Sequence, residues 1–132
     1  MDINSRPDAP EDSRASSLHT LASVWEAIGN DSNDRFKPDE ACAYWKKAIG
    51  NVEEAVRIRS KQLGERSHYN LAHSYQQLAE LYKKVKEFPE ALTSAQKAKE
   101  MFENHVADDH LGLKQVRKLL AKLEPEVSGK AN

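Results

Sequence analysis

Only one cysteine, Cys42, occurs in 132 residues. It can form no internal disulfide and has no second sulfur with which to build a thiolate zinc site, so a reducing, cytoplasmic setting is expected. No apolar run approaches transmembrane length. The first residues, Met1 to Asp8, are polar and acidic where a secretory leader would be apolar. Net charge is nearly absent: twenty Lys and Arg face twenty-one Asp and Glu, for a formal -1. The chain as a whole therefore has no pull towards nucleic acid or anionic lipid, and neither is an expected partner. The sequence also lacks a Gly-rich phosphate loop, an HExxH motif and a Ser/His/Asp arrangement, so no enzyme, no cofactor and no metal site is expected.

What is present points to helices. Hydrophobic residues make up 39% and charged residues 31%, with five Gly and five Pro, a balance that suits an all-α protein better than a sheet or a disordered chain. A chain of this length is one domain by its size and can bury roughly two thirds of its unfolded surface.

Residues 1 to 14 are charged, carry two prolines and offer almost nothing apolar, so they are expected to form a flexible arm. An apolar stripe at Leu18, Leu21, Ala22, Trp25 and Ile28 predicts a first helix from about Ala15, ending at Gly29-Asn30, with Asn30 to Arg35 as a loop. Pro38 followed by Asp39-Glu40 marks the next helix start. Ala41, Trp45, Ala48, Val52, Ala55 and Ile58 keep one helical phase across Gly50, which favours a single helix to Gln62 or Leu63 over a break at Gly50. Gly64 would cap it, and Glu65 to His68 would connect it to a third helix from Tyr69 to Val85. A turn at Lys86-Glu87 leads to a fourth helix, from Phe88 or Pro89 to Asn104. After a linker from His105 to Asp109, Leu113, Val116, Leu119, Leu120 and Leu123 define a fifth, which Pro125 should stop. The expected division is thus an arm (1–14), a helical domain (15–124) and a flexible tail (125–132).

Two copies of one pattern are visible. The same interval separates Trp25 from Ala41 and Tyr75 from Ala91, and the steps on to Trp45 and Ala48 match those on to Ala95 and Ala98. With Gly29 and Ala79 at corresponding places, this spacing resembles the tetratricopeptide repeat, whose first helix carries W-x2-L-G-x2-Y and whose second carries A-x3-F-x2-A. Ser32 stands where the first copy would have Tyr, and Ala95 replaces the aromatic of the second. From Glu54 to Glu124 the chain resembles more closely the longer repeats of the kinesin light chain type. That likeness rests on Ala55 to Gly64, His68, Ala72 to Tyr82, Ala91 and Asp109-His110, with Tyr69 and Leu111 in place of Pro and Lys86 in place of the turn Gly. The resemblance implies a short right-handed superhelix of antiparallel hairpins, about two repeats plus a C-terminal capping helix.

It also implies a function. Repeats of this class are interaction modules whose ligands lie along the surface made by the first helix of each hairpin. On the matching positions that surface holds Ser23, Glu26 and Asn30, then His73, Gln76, Gln77 and Glu80, then Gln115, Lys118 and Lys122. The expected partner is another protein or peptide, and the expected state a monomer or weak homo-oligomer. The chaperone-tail clamp of some relatives needs a basic residue where Glu26 stands, which excludes that ligand. Two other readings were weighed. One is a structural subunit that stacks on further repeats or on itself, which an exposed apolar face on the fifth helix would favour. The other, remote, is a histidine phosphotransfer domain using His73, against which stand Gln76 and Gln77 where Lys and Gly would be expected. His105 and His110 lack a third ligand and suit a cap and a packing residue.

Overall fold

The computed structural model describes residues 9–61, 65–105 and 110–129. Five helices and no strand occur among them: α1 (Ala9–Asp34), α2 (Pro38–Ser60), α3 (Glu65–Lys84), α4 (Phe88–His105) and α5 (Leu111–Gly129). The all-α helical-repeat class is as expected. The chain divides into two compact units, Met1–Gln62 and Leu63–Asn132. No helix among the described residues is long and apolar enough to cross a membrane.

In the first unit α1 and α2 form a hairpin. α1 starts at Ala9 rather than Ala15, so residues 9–14 are helix and not part of an unstructured arm. Pro10 falls in the first turn, where its missing N–H costs nothing. Arg14 then anchors this extension by an ion pair to Glu54 of α2 at 2.7 Å. α1 also runs past Gly29-Asn30 to Asp34, through residues expected to be loop. Gly29 serves contact instead of capping: a Cβ there would lie 2.5 Å from Trp45 Nε1. From residue 13 onward the buried positions of α1 are Ala15, Ala22, Gly29 and Ser32, whereas Leu21 and Ile28, expected in the stripe, are exposed.

α2 is one helix through Gly50. Pro38 occupies its first turn, Asp39 and Glu40 sit at its positive end, and Arg57 and Arg59 lie in its last turn. Its end at Ser60 falls just short of the expected Gln62, and Gly64 lies outside the described residues.

In the second unit α3 begins at Glu65, so the expected connection over Glu65 to His68 is its first turn. Tyr69, where related repeats have Pro, keeps the backbone N–H that continues a helix. α3 and α4 form the second hairpin and α5 packs on α4 and α3. Their common core is Ala72, Ala79, Ala91, Ala95 and Ala98 between the helices of the hairpin, with Phe102, Leu113, Val116, Leu119, Leu120 and Leu123 joining α5 to it. α5 passes through Pro125 to Gly129, so residues 125–129 are helical rather than tail. Proline removes one hydrogen bond, and the carbonyl it orphans belongs to Ala121, an exposed residue on a face that water can reach.

The two hairpin turns are copies. α1 closes with Lys37 N–H donating to the Ser32 carbonyl at 2.9 Å and Phe36 N–H to the Asn33 carbonyl at 3.0 Å. α3 closes with Glu87 N–H donating to Tyr82 at 2.9 Å and Lys86 N–H to Lys83 at 3.0 Å. Phe36 and Lys86 take positive φ, 62° and 64°, as the residue after such a helix end must. The repeat read from side-chain spacing is therefore also a repeat of backbone geometry.

Candidate interaction surface

The outward face of the second unit is built by α3 and α5. Leu113, Val116, Leu120 and Leu123 turn inward on α5, which leaves Lys114, Gln115, Arg117, Lys118, Lys122 and Glu124 exposed. With its apolar stripe consumed by the core and its outer face polar, α5 has the form of a capping helix. Its start is fixed by His110. The imidazole Nδ1 accepts the Gly112 N–H at 3.1 Å, satisfying a donor in the first turn of α5. Nε2 therefore carries the ring proton and donates to the Tyr69 hydroxyl at 3.0 Å. His110 is thus both the cap and the tie between α5 and α3.

His73 is exposed on α3, and its ring meets Tyr69 and Phe102 edge-on, at centroid distances of 4.7 and 5.1 Å. Gln76 is buried. Its Nε2 donates to Gln115 Oε1 at 2.9 Å, which ties the two helices at mid-face. Gln77 is half-buried and Glu80 exposed. Below this pair α3 and α5 diverge into a cleft of about 420 Å³ lined by Glu80, Lys83, Lys84, Gln115, Lys118, Leu119 and Lys122. Of the residues expected on the binding surface, Glu80, Gln115, Lys118 and Lys122 are brought together here. Lys83 and Lys84 were not among them. They stand in the last turn of α3, and the run of lysines there was a signal of their grouping.

Ser23, Glu26 and Asn30 belong to the other unit. The Trp45 indole N–H donates to Asn30 Oδ1 at 3.1 Å and to the Glu26 carbonyl at 3.3 Å. Ser23 Oγ donates to the His19 carbonyl at 3.1 Å. Trp45 is buried, as expected of repeat core. Trp25 is half-buried, stacks on Tyr44 at 5.7 Å and receives the Lys47 ammonium at 4.7 Å.

A second cleft, of about 330 Å³, lies on the α3–α4 hairpin between Tyr75, Leu78, Tyr82, Pro89, Glu90, Thr93, Ser94 and Lys97. No group of three or more His, Cys, Asp or Glu able to hold a metal occurs among the described residues.

No curated protein matches the chain in sequence. A family does match: residues 71–111, under a third of the chain, fit the tetratricopeptide repeat. The matched stretch holds most of α3, the positive-φ turn, all of α4 and the His110 cap. Residues 71–111 are thus similar to a tetratricopeptide repeat, and the first unit copies the geometry of its hairpin turn.

Proposed function

We propose that the protein is an adaptor or scaffold, a non-enzymatic module that holds a segment of a partner protein on the outward face of α3 and α5. The observation that carries this reading is the cleft between those helices. It is open and lined mainly by charged and amide side chains, it sits beside a pinned Gln76–Gln115 pair, and it is built on an α5 whose Leu113, Val116, Leu119, Leu120 and Leu123 are buried in the core. A rigid scaffold that presents a concave polar surface suits recognition at modest affinity, since a short array offers limited area. The resemblance from Glu54 to Glu124 supports a repeat of the kinesin light chain type in the second unit. Affinity purification with the intact chain and with Glu80→Trp, which fills the cleft from an exposed position, tests the reading. Partners are lost from the variant while its thermal melt is unchanged; retention of every partner by the folded variant overturns it.

A second reading rests on α1. Leu21, Val24 and Ile28 recur along one side of that helix and are 43%, 49% and 37% exposed. An apolar stripe of this kind suits self-association or stacking on further repeats. In light scattering, a mass above that of the monomer that Val24→Glu reduces would favour it.

A further inference from the structure

The α3–α5 cleft carries a charge that the chain as a whole does not. Lys83, Lys84, Lys118 and Lys122 line it with a single acid, Glu80, although the protein's formal charge is -1. With Glu80 and Lys84 set aside, each already engaged in an interaction, Lys83, Lys118 and Lys122 still gather positive charge at one concavity, and an anionic occupant relieves their repulsion. What else lines the cleft narrows the anion. No aromatic ring and no guanidinium is present, so there is no platform for a nucleobase and no fork for bidentate phosphate. The floor is Leu119, which is buried. Gln115 gives its Oε1 to Gln76, which leaves its amide nitrogen as the donor it brings to the cleft, a match for a peptide carbonyl.

The lysine spacing adds a register. Lys118 and Lys122 are one helical turn apart, about 6 Å of rise. Side chains on one side of an extended peptide recur every second residue, about 6.6–6.8 Å apart. Carboxylates at alternate positions therefore meet successive lysines on α5, with Lys83 and Lys84 facing them from α3.

We propose that this cleft binds an extended acidic segment of a partner protein, with Asp or Glu at two positions separated by one residue seated at Lys118 and Lys122. The proposal rests on the docking face described above and names the chemistry of its occupant.

A randomised peptide library screened with the intact chain tests it. The peptides recovered carry Asp or Glu at alternate positions. A fluorescent Glu-Leu-Glu peptide followed by anisotropy binds more weakly as salt rises. Lys118→Glu with Lys122→Glu lowers its affinity roughly tenfold or more, and Lys122→Gln alone lowers it by less, at unchanged helicity. Recovery of neutral or basic peptides that Glu80→Trp still displaces overturns the acidic assignment and leaves the docking face standing. Recovery of no peptide, or of peptides indifferent to all these variants, overturns both. Tripolyphosphate or a single-stranded oligonucleotide binding more tightly than the peptide, with the same loss on charge reversal, overturns the choice of a protein segment.

Discussion

Gly29 of α1 lies so close to Trp45 of α2 that a Cβ at Gly29 would stand 2.5 Å from the indole Nε1 and 2.6 Å from its Cδ1. The indole N–H is held against α1 by Asn30 Oδ1 and by the Glu26 carbonyl, so the ring cannot swing away without breaking these part-buried hydrogen bonds. Bulk and space are complementary here: the largest side chain of α2 fills the place that glycine vacates on α1. The second hairpin solves the same problem with Ala79 and Ala95, both fully buried.

Gly29→Ala is therefore expected to destabilise the first hairpin by about 1–3 kcal/mol through overpacking, despite alanine's higher helix propensity. Thermal or urea unfolding followed by tryptophan fluorescence would measure it. Gly50 is the contrasting case, since a Cβ there meets nothing within 4 Å. Gly50→Ala should stabilise α2 by about 0.5–1 kcal/mol. If both substitutions moved stability in the same direction, the assignment of Gly29 to close approach would be wrong.

Much of this was legible in the residues. Trp25 to Ala48 and Tyr75 to Ala98 carried the repeat, Lys86 marked the turn position, and unbroken phase across Gly50 identified one long helix. What escaped was the conversion of small polar residues into helix. Asn30 to Asp34 read as loop because each residue type competes with helix locally, yet Ser32 is buried and its hydroxyl donates to Glu40 at 3.4 Å. Pro125 read as a stop because the rule for helix interiors takes no account of an exposed last turn. Gln76 read as surface because its partner, Gln115, lies on a helix far along the chain, and a pairing of that kind leaves no local trace.

Phe36 holds a positive φ with its side chain 92% exposed, so it bears the conformational cost of the left-handed region without packing in return. Phe36→Gly should raise stability by about 0.5–1 kcal/mol, the left-handed penalty of about 1–2 kcal/mol less the added backbone entropy of the unfolded chain. Phe36→Ala keeps a Cβ and should give no such gain. Equal effects of the two, in denaturant melts, would show that exposure of the ring rather than φ sets the energy.

Glu54 predicts a pH dependence. Hydrogen bonds from Arg57 at 2.6 Å, with charge from Arg57 and Arg14, draw its carboxyl down from 4.5 to about 2 against a smaller opposing effect of desolvation. A carboxyl whose folded value lies below its unfolded one contributes stability above about pH 4.5, and that contribution is lost as pH falls towards 2. Glu54→Gln should flatten this part of the acid limb. Added salt should weaken the effect, because Arg14 and Arg57 are more than half exposed. An acid limb identical in wild type and variant, followed by circular dichroism, would remove Glu54 from the account.

The Gln76–Gln115 pair separates stability from recognition. Gln76 is buried with its amide donating to Gln115, so Gln76→Ala removes that hydrogen bond and the packing of a buried side chain, while the exposed Gln115 is rehydrated. A loss of about 1–3 kcal/mol is expected. Gln115→Ala, from the exposed side, should cost less, because water can replace its contact on removal of the amide. The double variant should be less destabilised than the sum of the singles, by a coupling of about 0.5–1.5 kcal/mol. Additive losses would mean that the hydrogen bond contributes nothing and that Gln76 acts by packing alone. Because Gln76 sits beneath the docking face, its variants should weaken partner capture only in proportion to the fraction unfolded, whereas Glu80→Trp should weaken capture in fully folded protein.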